Sequence, residues 1–209
     1  GSVAPDKHGI YVGSLDSKDV KRVLRSDSVA EVVAPAALVF IRETTLLRQA
    51  FDLKSLEVRG EPVLVEENVS IDRGNGRAGF SVSGNGVLVF APGSGVSAGS
   101  DLEFRVFDRT GKELGRVGGA WTYRGMDLSP DGRHIAAHRH EERGGDIWIT
   151  DVENGSHSRF TFEPAQHNTS PIWSPDGTHI AFGSLRQGLW GIYQKASSGA
   201  GVEETLLED

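Results

Sequence analysis

His138 and His140 stand two apart in the segment His-Arg-His-Glu-Glu-Arg, and His167 follows 27 residues later. On a strand, residues two apart point to the same side. A His-x-His pair there offers two imidazole nitrogens of the kind that bind zinc or another transition metal. A third ligand would come from His167 or Asp127. Against this, His134 and His179, which complete a group of five histidines within 46 residues, fall just after turns, where a solvated side chain suffices. The segment also reads as a strand running out into a charged loop. A polar sheet edge is the favoured reading, so the expectation is no metal and no cofactor, with His138, His140 and His167 as the candidates should an ion bind.

Two further motifs match catalytic patterns in spelling only. Gly95 to Gly99, "GVSAG", fits the G-x-S-x-G nucleophile pattern, which works on a sharp strand-to-helix turn. Ser97 is instead flanked by "VLVF" and "LEFRVF", two strand-like runs, and is expected in a Gly-rich hairpin loop. Gly74 to Gly79, "GNGRAG", fits G-x-G-x-x-G but is followed by "FSVSGNGVLVF", a strand–turn–strand pattern rather than a helix. The adjacent pairs Glu66-Glu67 and Glu141-Glu142 would face opposite ways on a strand and make no acid/base couple. No catalytic residue is expected.

What would position these side chains is a repeat. "LSPDG" at Leu128 to Gly132 recurs as "WSPDG" at Trp173 to Gly177, and "VSGNG" ends at Gly86, so the glycines are spaced 46 and 45 apart. Pro presets φ, Asp bonds nearby backbone and Gly accepts positive φ, which makes Ser129-Pro130-Asp131-Gly132 and Ser174-Pro175-Asp176-Gly177 structural turns. The runs after the turns, such as "VLVF", "HIAAH" and "HIAFG", have strand length and composition. In the earliest whole unit Pro35-Ala36-Ala37 replaces the turn before Leu38 to Ile41, and Ile10-Tyr11 corresponds to Ile192-Tyr193 in a half unit.

Four short antiparallel strands per 40 to 50 residues is the plan of a propeller blade. The predicted fold is therefore all-β: a partial or open β-propeller of four-stranded antiparallel blades, about four and a half in number. The units run approximately 8–28 (half), 32–69, 79–120, 125–165 and 171–209. Trp148, Phe182, Trp190 and Tyr193 are expected to pack blade against blade. Trp121 and Tyr123 fall in a connector between units. With Arg186 they are the candidate binding patch, although closure of the gap between blades is the favoured role of the two aromatics.

The chain has 209 residues, 27 of them Gly, no Cys, and a formal net charge of −7. No basic stripe exists for a nucleic acid, and no polybasic or long apolar run for a membrane. Without Cys there is neither a disulfide framework nor a thiolate zinc site. The opening Gly-Ser reads as a tag scar, and the half unit implies open edge strands through which copies of the chain could self-associate.

The pattern "WSPDG.HIAF.S.R.G...IY" resembles the TolB-type propeller repeats of bacteria, relatives of the WD-repeat blades. The N-terminal "GIYVGSLDSKDVKRVLRSDS" and "GRAGFSVSGNGVLVF" look like the propeller portions attached to bacterial serine/threonine protein kinases, outside the membrane. This implies a non-catalytic recognition or sensor module on the periplasmic or extracellular side, binding a protein, peptide or small ligand. The alternative is the gating propeller of a prolyl-oligopeptidase-type hydrolase, whose catalytic residues would lie in another domain.

Overall fold

The computed structural model describes residues 9–14, 16–33, 36–72, 77–93, 102–108, 110–141, 144–162 and 167–208. Among them are twenty strands and no helix, hence no helix long and apolar enough to cross a membrane. Strands β1 (Ile10–Gly13) and β2 (Val20–Leu24) form a two-stranded antiparallel sheet. The first complete blade follows as β3 (Ala30–Val33), β4 (Ala37–Arg42), β5 (Thr45–Asp52) and β6 (Glu57–Glu66). A short ribbon of β7 (Ile71–Asp72) and β8 (Arg77–Ala78) leads to the second blade, β9 (Phe80–Val82), β10 (Leu88–Phe90), β11 (Leu102–Phe107) and β12 (Glu113–Trp121).

The third blade is β13 (Tyr123–Leu128), β14 (His134–Glu141), β15 (Gly144–Asp151) and β16 (His157–Arg159). The fourth is β17 (His167–Trp173), β18 (His179–Arg186), β19 (Leu189–Ala196) and β20 (Glu204–Glu208). Within each blade successive strands pair antiparallel, and a single parallel bridge, Gly145 to His167, joins the third blade to the fourth. No pairing links β1–β2 to the fourth blade among the described residues, so the propeller is open.

The turns are built as their residues dictate. Ser129 Oγ donates to Asp131 Oδ1 at 2.6 Å and accepts the His134 N–H at 2.9 Å, while Gly132 N–H donates to Ser129 O at 2.8 Å. Ser174 repeats each bond with Asp176, His179 and Gly177 at 2.6, 2.9 and 2.9 Å. Gly132 and Gly177 both sit at φ +72°, a left-handed conformation that side chains with a Cβ resist. Ser83 and Asn85 build the same turn before Gly86. Its Asn85 amide donates to Asp131 O at 2.6 Å, tying one blade's turn to the next.

Burial explains why the second strand of each unit is apolar on both faces. In β4, Leu38 and Phe40 pack with Leu24 and Phe51 toward the β1–β2 sheet, while Val39 and Ile41 pack with Phe80 and Phe90 of the second blade. In β14, Ile135 and Ala137 meet Phe104 and Val106 behind them. Ala136 faces forward into Ile147, Phe160, Ile180 and Phe182 of the third and fourth blades. Each layer of core therefore lies between successive sheets, and every buried side chain of this size adds about 1.5–3 kcal/mol. By the same alternation His138, two beyond Ala136, enters the wedge between the third and fourth blades.

Candidate functional site

The antiparallel meander puts one kind of loop at each end of the propeller. The Ser-Pro-Asp-Gly turns share one end with the β15–β16 turn. The blade-to-blade connectors share the other with the β14–β15 and β18–β19 turns. His140, Gly145, His167 and Trp190 lie at this connector end, where His140 N–H donates to Thr122 O at 2.8 Å.

The structure brings the three candidate histidines together. The ring of His138 is 5.6 Å from that of His140 and 5.0 Å from that of His167, and the last two are 5.8 Å apart, centre to centre. One nitrogen from each lies within 4.8 Å of the others. His138 is 1% exposed and its neighbours are half-buried. Gly145 is what lets the rings meet: it is the ladder partner of His140 and the bridge partner of His167. A Cβ on Gly145 would fall 2.1 Å from His138 Nε2, so the imidazole occupies the space of the missing side chain. Thr169 Oγ1 bonds His138 Nδ1 at 3.1 Å and holds the ring from its far side.

Asp127, the other candidate third ligand, is elsewhere. Its Oδ1 accepts from Ser81 Oγ at 3.1 Å and its Oδ2 from the Trp173 N–H at 2.7 Å, so it joins blades near the turn end rather than the histidines. Burial raises its carboxyl above the usual range. Glu31 behaves alike: burial of its carboxyl, which accepts the Val82 N–H at 2.7 Å, pushes its pKa up to about 8. Asp146 is a third committed carboxylate, accepting from Arg159, Thr161 and Asn168 at 2.5, 2.7 and 3.1 Å. The turn carboxylates move the other way, Asp176 falling to about 2 because Ser174 and Thr178 donate to it. Donation from Ser129 likewise lowers Asp131.

Trp121 and Tyr123 make contacts between the second and third blades, and Arg186 lies apart from them in the fourth. Trp121 ends β12 and Tyr123 begins β13, so neither stands in a free connector. Tyr123 is buried against the Phe104 ring, 4.4 Å away, and its hydroxyl donates to Gly119 O at 3.3 Å. Arg139 lies 3.2 Å over the Trp121 ring and 4.6 Å from that of Trp148. Arg186 shares the connector end but belongs to the fourth blade, where it covers the Tyr193 ring at 3.5 Å and pairs with Glu203. Trp190 is corrected: instead of packing between blades it is 51% exposed, with its ring 5.8 Å from His167. Phe182 and Tyr193 do pack between blades, at 1% and 3% exposure.

Ser97 and Gly74 to Gly76 lie outside the described residues. Around them, β10 and β11 pair as neighbours of one blade, and strand rather than helix follows Gly79. At the turn end two adjoining hollows of about 480 and 410 Å³ open between the third and fourth blades, sharing His134, Ile149, Ser197 and Ser198. Sequence reasoning missed Gly145, Thr169 and these hollows. The Gly144-Gly145 doublet was the available signal for the first, but its role depends on which ring lies above it.

No protein-family model and no curated protein matches the sequence. Solved structures do. TolB from Acinetobacter baumannii is 18% identical with a TM-score of 0.67, over 95% of this chain and 48% of that one. The nidogen/laminin complex matches at 11% identity and TM-score 0.57, over 83% of this chain and 62% of that one. A structure from a study of two prolyl endopeptidases matches at 13% and 0.58, over 87% of this chain and 29% of that one. The chain thus spans about half the length of the TolB it matches. At these identities the likeness concerns architecture alone, and that architecture is a TolB-like β-propeller, open and with four four-stranded blades and one two-stranded sheet among the described residues.

Proposed function

We propose that this chain is a non-catalytic recognition module that binds a protein or peptide at the connector end of its last two blades. The observation that carries the reading is the rim formed there by Leu189, Trp190 and Ile192, which are 60%, 51% and 43% exposed on the β18–β19 hairpin. Exposed aliphatic and aromatic side chains on a fixed scaffold supply contact area at little entropic cost. The commitment of Glu31, Asp127 and Asp146 to backbone and side-chain donors supports a role without acid/base chemistry. The likeness to TolB and to a propeller crystallised as a nidogen/laminin complex supports a protein partner. The resemblance of the N-terminal segments to kinase-linked propellers supports an extracytoplasmic position beside a bacterial receptor-type kinase.

A second reading, the propeller of a prolyl-endopeptidase-type hydrolase, is favoured by the match to that fold. One experiment separates partner binding from other roles. Peptides are selected from a random display library on the immobilised 209-residue chain, and their affinities are measured by calorimetry. Leu189→Arg with Trp190→Arg should weaken the selected peptides about tenfold or more. Leu53→Arg, on an exposed turn of the first blade at the opposite end, should leave them unchanged. Peptides indifferent to the rim, or none enriched, would overturn the assignment.

A further inference from the structure

We propose that His138, His140 and His167 form a three-imidazole site for a divalent transition metal of the zinc class, its fourth position open toward the connector end. The donor set is chemically right: neutral imidazole nitrogen suits zinc, copper and nickel, and three protein ligands with one open position is a common zinc arrangement. The convergence is built by β14 and β17 of different blades, held in place because Gly145 of β15 pairs with His140 on one side and is bridged to His167 on the other.

Three further features point the same way. Gly145 leaves the hollow that His138 Nε2 enters. Thr169 Oγ1, 3.1 Å from His138 Nδ1, is placed to accept the Nδ1–H of the tautomer that leaves Nε2 as the lone-pair donor, the orienting bond that metal-ligating histidines use. Arg139, between the two ligands of β14, is turned to the other face and held by Trp121 and Trp148, so its guanidinium stays out of the site. Zinc with bonds of about 2.0–2.1 Å sets its nitrogens about 3.3–3.5 Å apart. From nitrogens within 4.8 Å of one another, closure needs ring movements on the order of an ångström.

The test uses the chelator-treated 209-residue chain, with zinc titrated by calorimetry and cobalt(II) by absorption. One zinc per chain is expected at micromolar affinity or tighter, with the visible spectrum of tetrahedral cobalt. His140→Ala and His167→Ala, both at half-buried positions, should each weaken zinc about tenfold or more while keeping the metal-free melting temperature. Gly145→Ala should weaken zinc comparably although it removes no ligand, because its methyl group displaces the His138 ring. No saturable binding by the parent at about 100 µM metal, or binding unaltered in both histidine variants, would overturn the site.

Discussion

The carboxylate of Asp127 accepts the backbone N–H of Trp173 at 2.7 Å, and the two residues belong to successive blades. The bond is one link of a series. Asp127 stands two residues before Ser129 of its turn and Trp173 directly before Ser174 of the next. One blade earlier Ser81 Oγ accepts the Leu128 N–H at 3.0 Å, and before that Glu31 accepts the Val82 N–H at 2.7 Å. Each of the first three blades thus extends one polar side chain to the innermost strand of its successor. Ile172 holds the corresponding place in the fourth blade and is 61% exposed.

Removing a link should expose its cost. Asp127→Ala orphans the Trp173 N–H and the Ser81 hydroxyl, and a loss of about 1–3 kcal/mol is expected. Asp127→Asn keeps an acceptor and removes a carboxylate that burial disfavours in its charged form, so at neutral pH it should match or exceed the parent. Urea midpoints rank the three. Equal midpoints for Ala and Asn would dismiss the bond as a contributor.

Glu31 should make stability depend on pH. Its folded pKa of about 8 exceeds the ordinary 4.5, so between those values the unfolded chain has released a proton that the folded one retains. The unfolded state binds fewer protons, and stability falls as pH rises through this window. In urea melts at pH 5 and pH 8 the parent should lose more than Glu31→Gln, whose amide oxygen still accepts from Val82. Parallel pH profiles for the two would mean that the Glu31 carboxyl is solvated.

Glycine turns of identical φ should respond unequally. An alanine at either Gly132 or Gly177 meets backbone strain of about 1–2 kcal/mol. At Gly132 the added Cβ also falls 2.9 Å from Asn85 Oδ1, 3.0 Å from Ser83 Oγ and 3.1 Å from Val87 Cγ2. At Gly177 the nearest atom is Pro130 Cδ at an ordinary 3.8 Å. Gly132→Ala should therefore melt at the lower temperature; the reverse order would contradict this packing of turn on turn.

Arg139 between Trp121 and Trp148 joins the second blade to the third. Replacing it with Met keeps most of the stem but loses the cation over two rings, at an expected cost of about 0.5–2 kcal/mol. Tryptophan fluorescence should change with it. A variant of parental stability and emission would return Trp121 to the role of a free surface aromatic.

Local chemistry is enough to account for the blades. The Ser-Pro-Asp-Gly turns are self-contained: their Ser, Asp and Gly satisfy one another within five residues, so spacing alone reveals four units and a half. Strands apolar on both faces announce stacking for the same reason, since a one-sided sheet would alternate. Contacts between units follow no local rule. That His167 meets His138 depends on how β17 is bridged and hydrogen-bonded to the third blade, and that Tyr123 is buried while Trp190 is half exposed depends on which strand end each occupies. The fate of Glu31 and Asp127 is decided the same way, by backbone donors 51 and 46 residues further along the chain. A turn is determined over a few bonds. A meeting of blades is determined by the curvature and packing of whole sheets, and only the tertiary structure contains those.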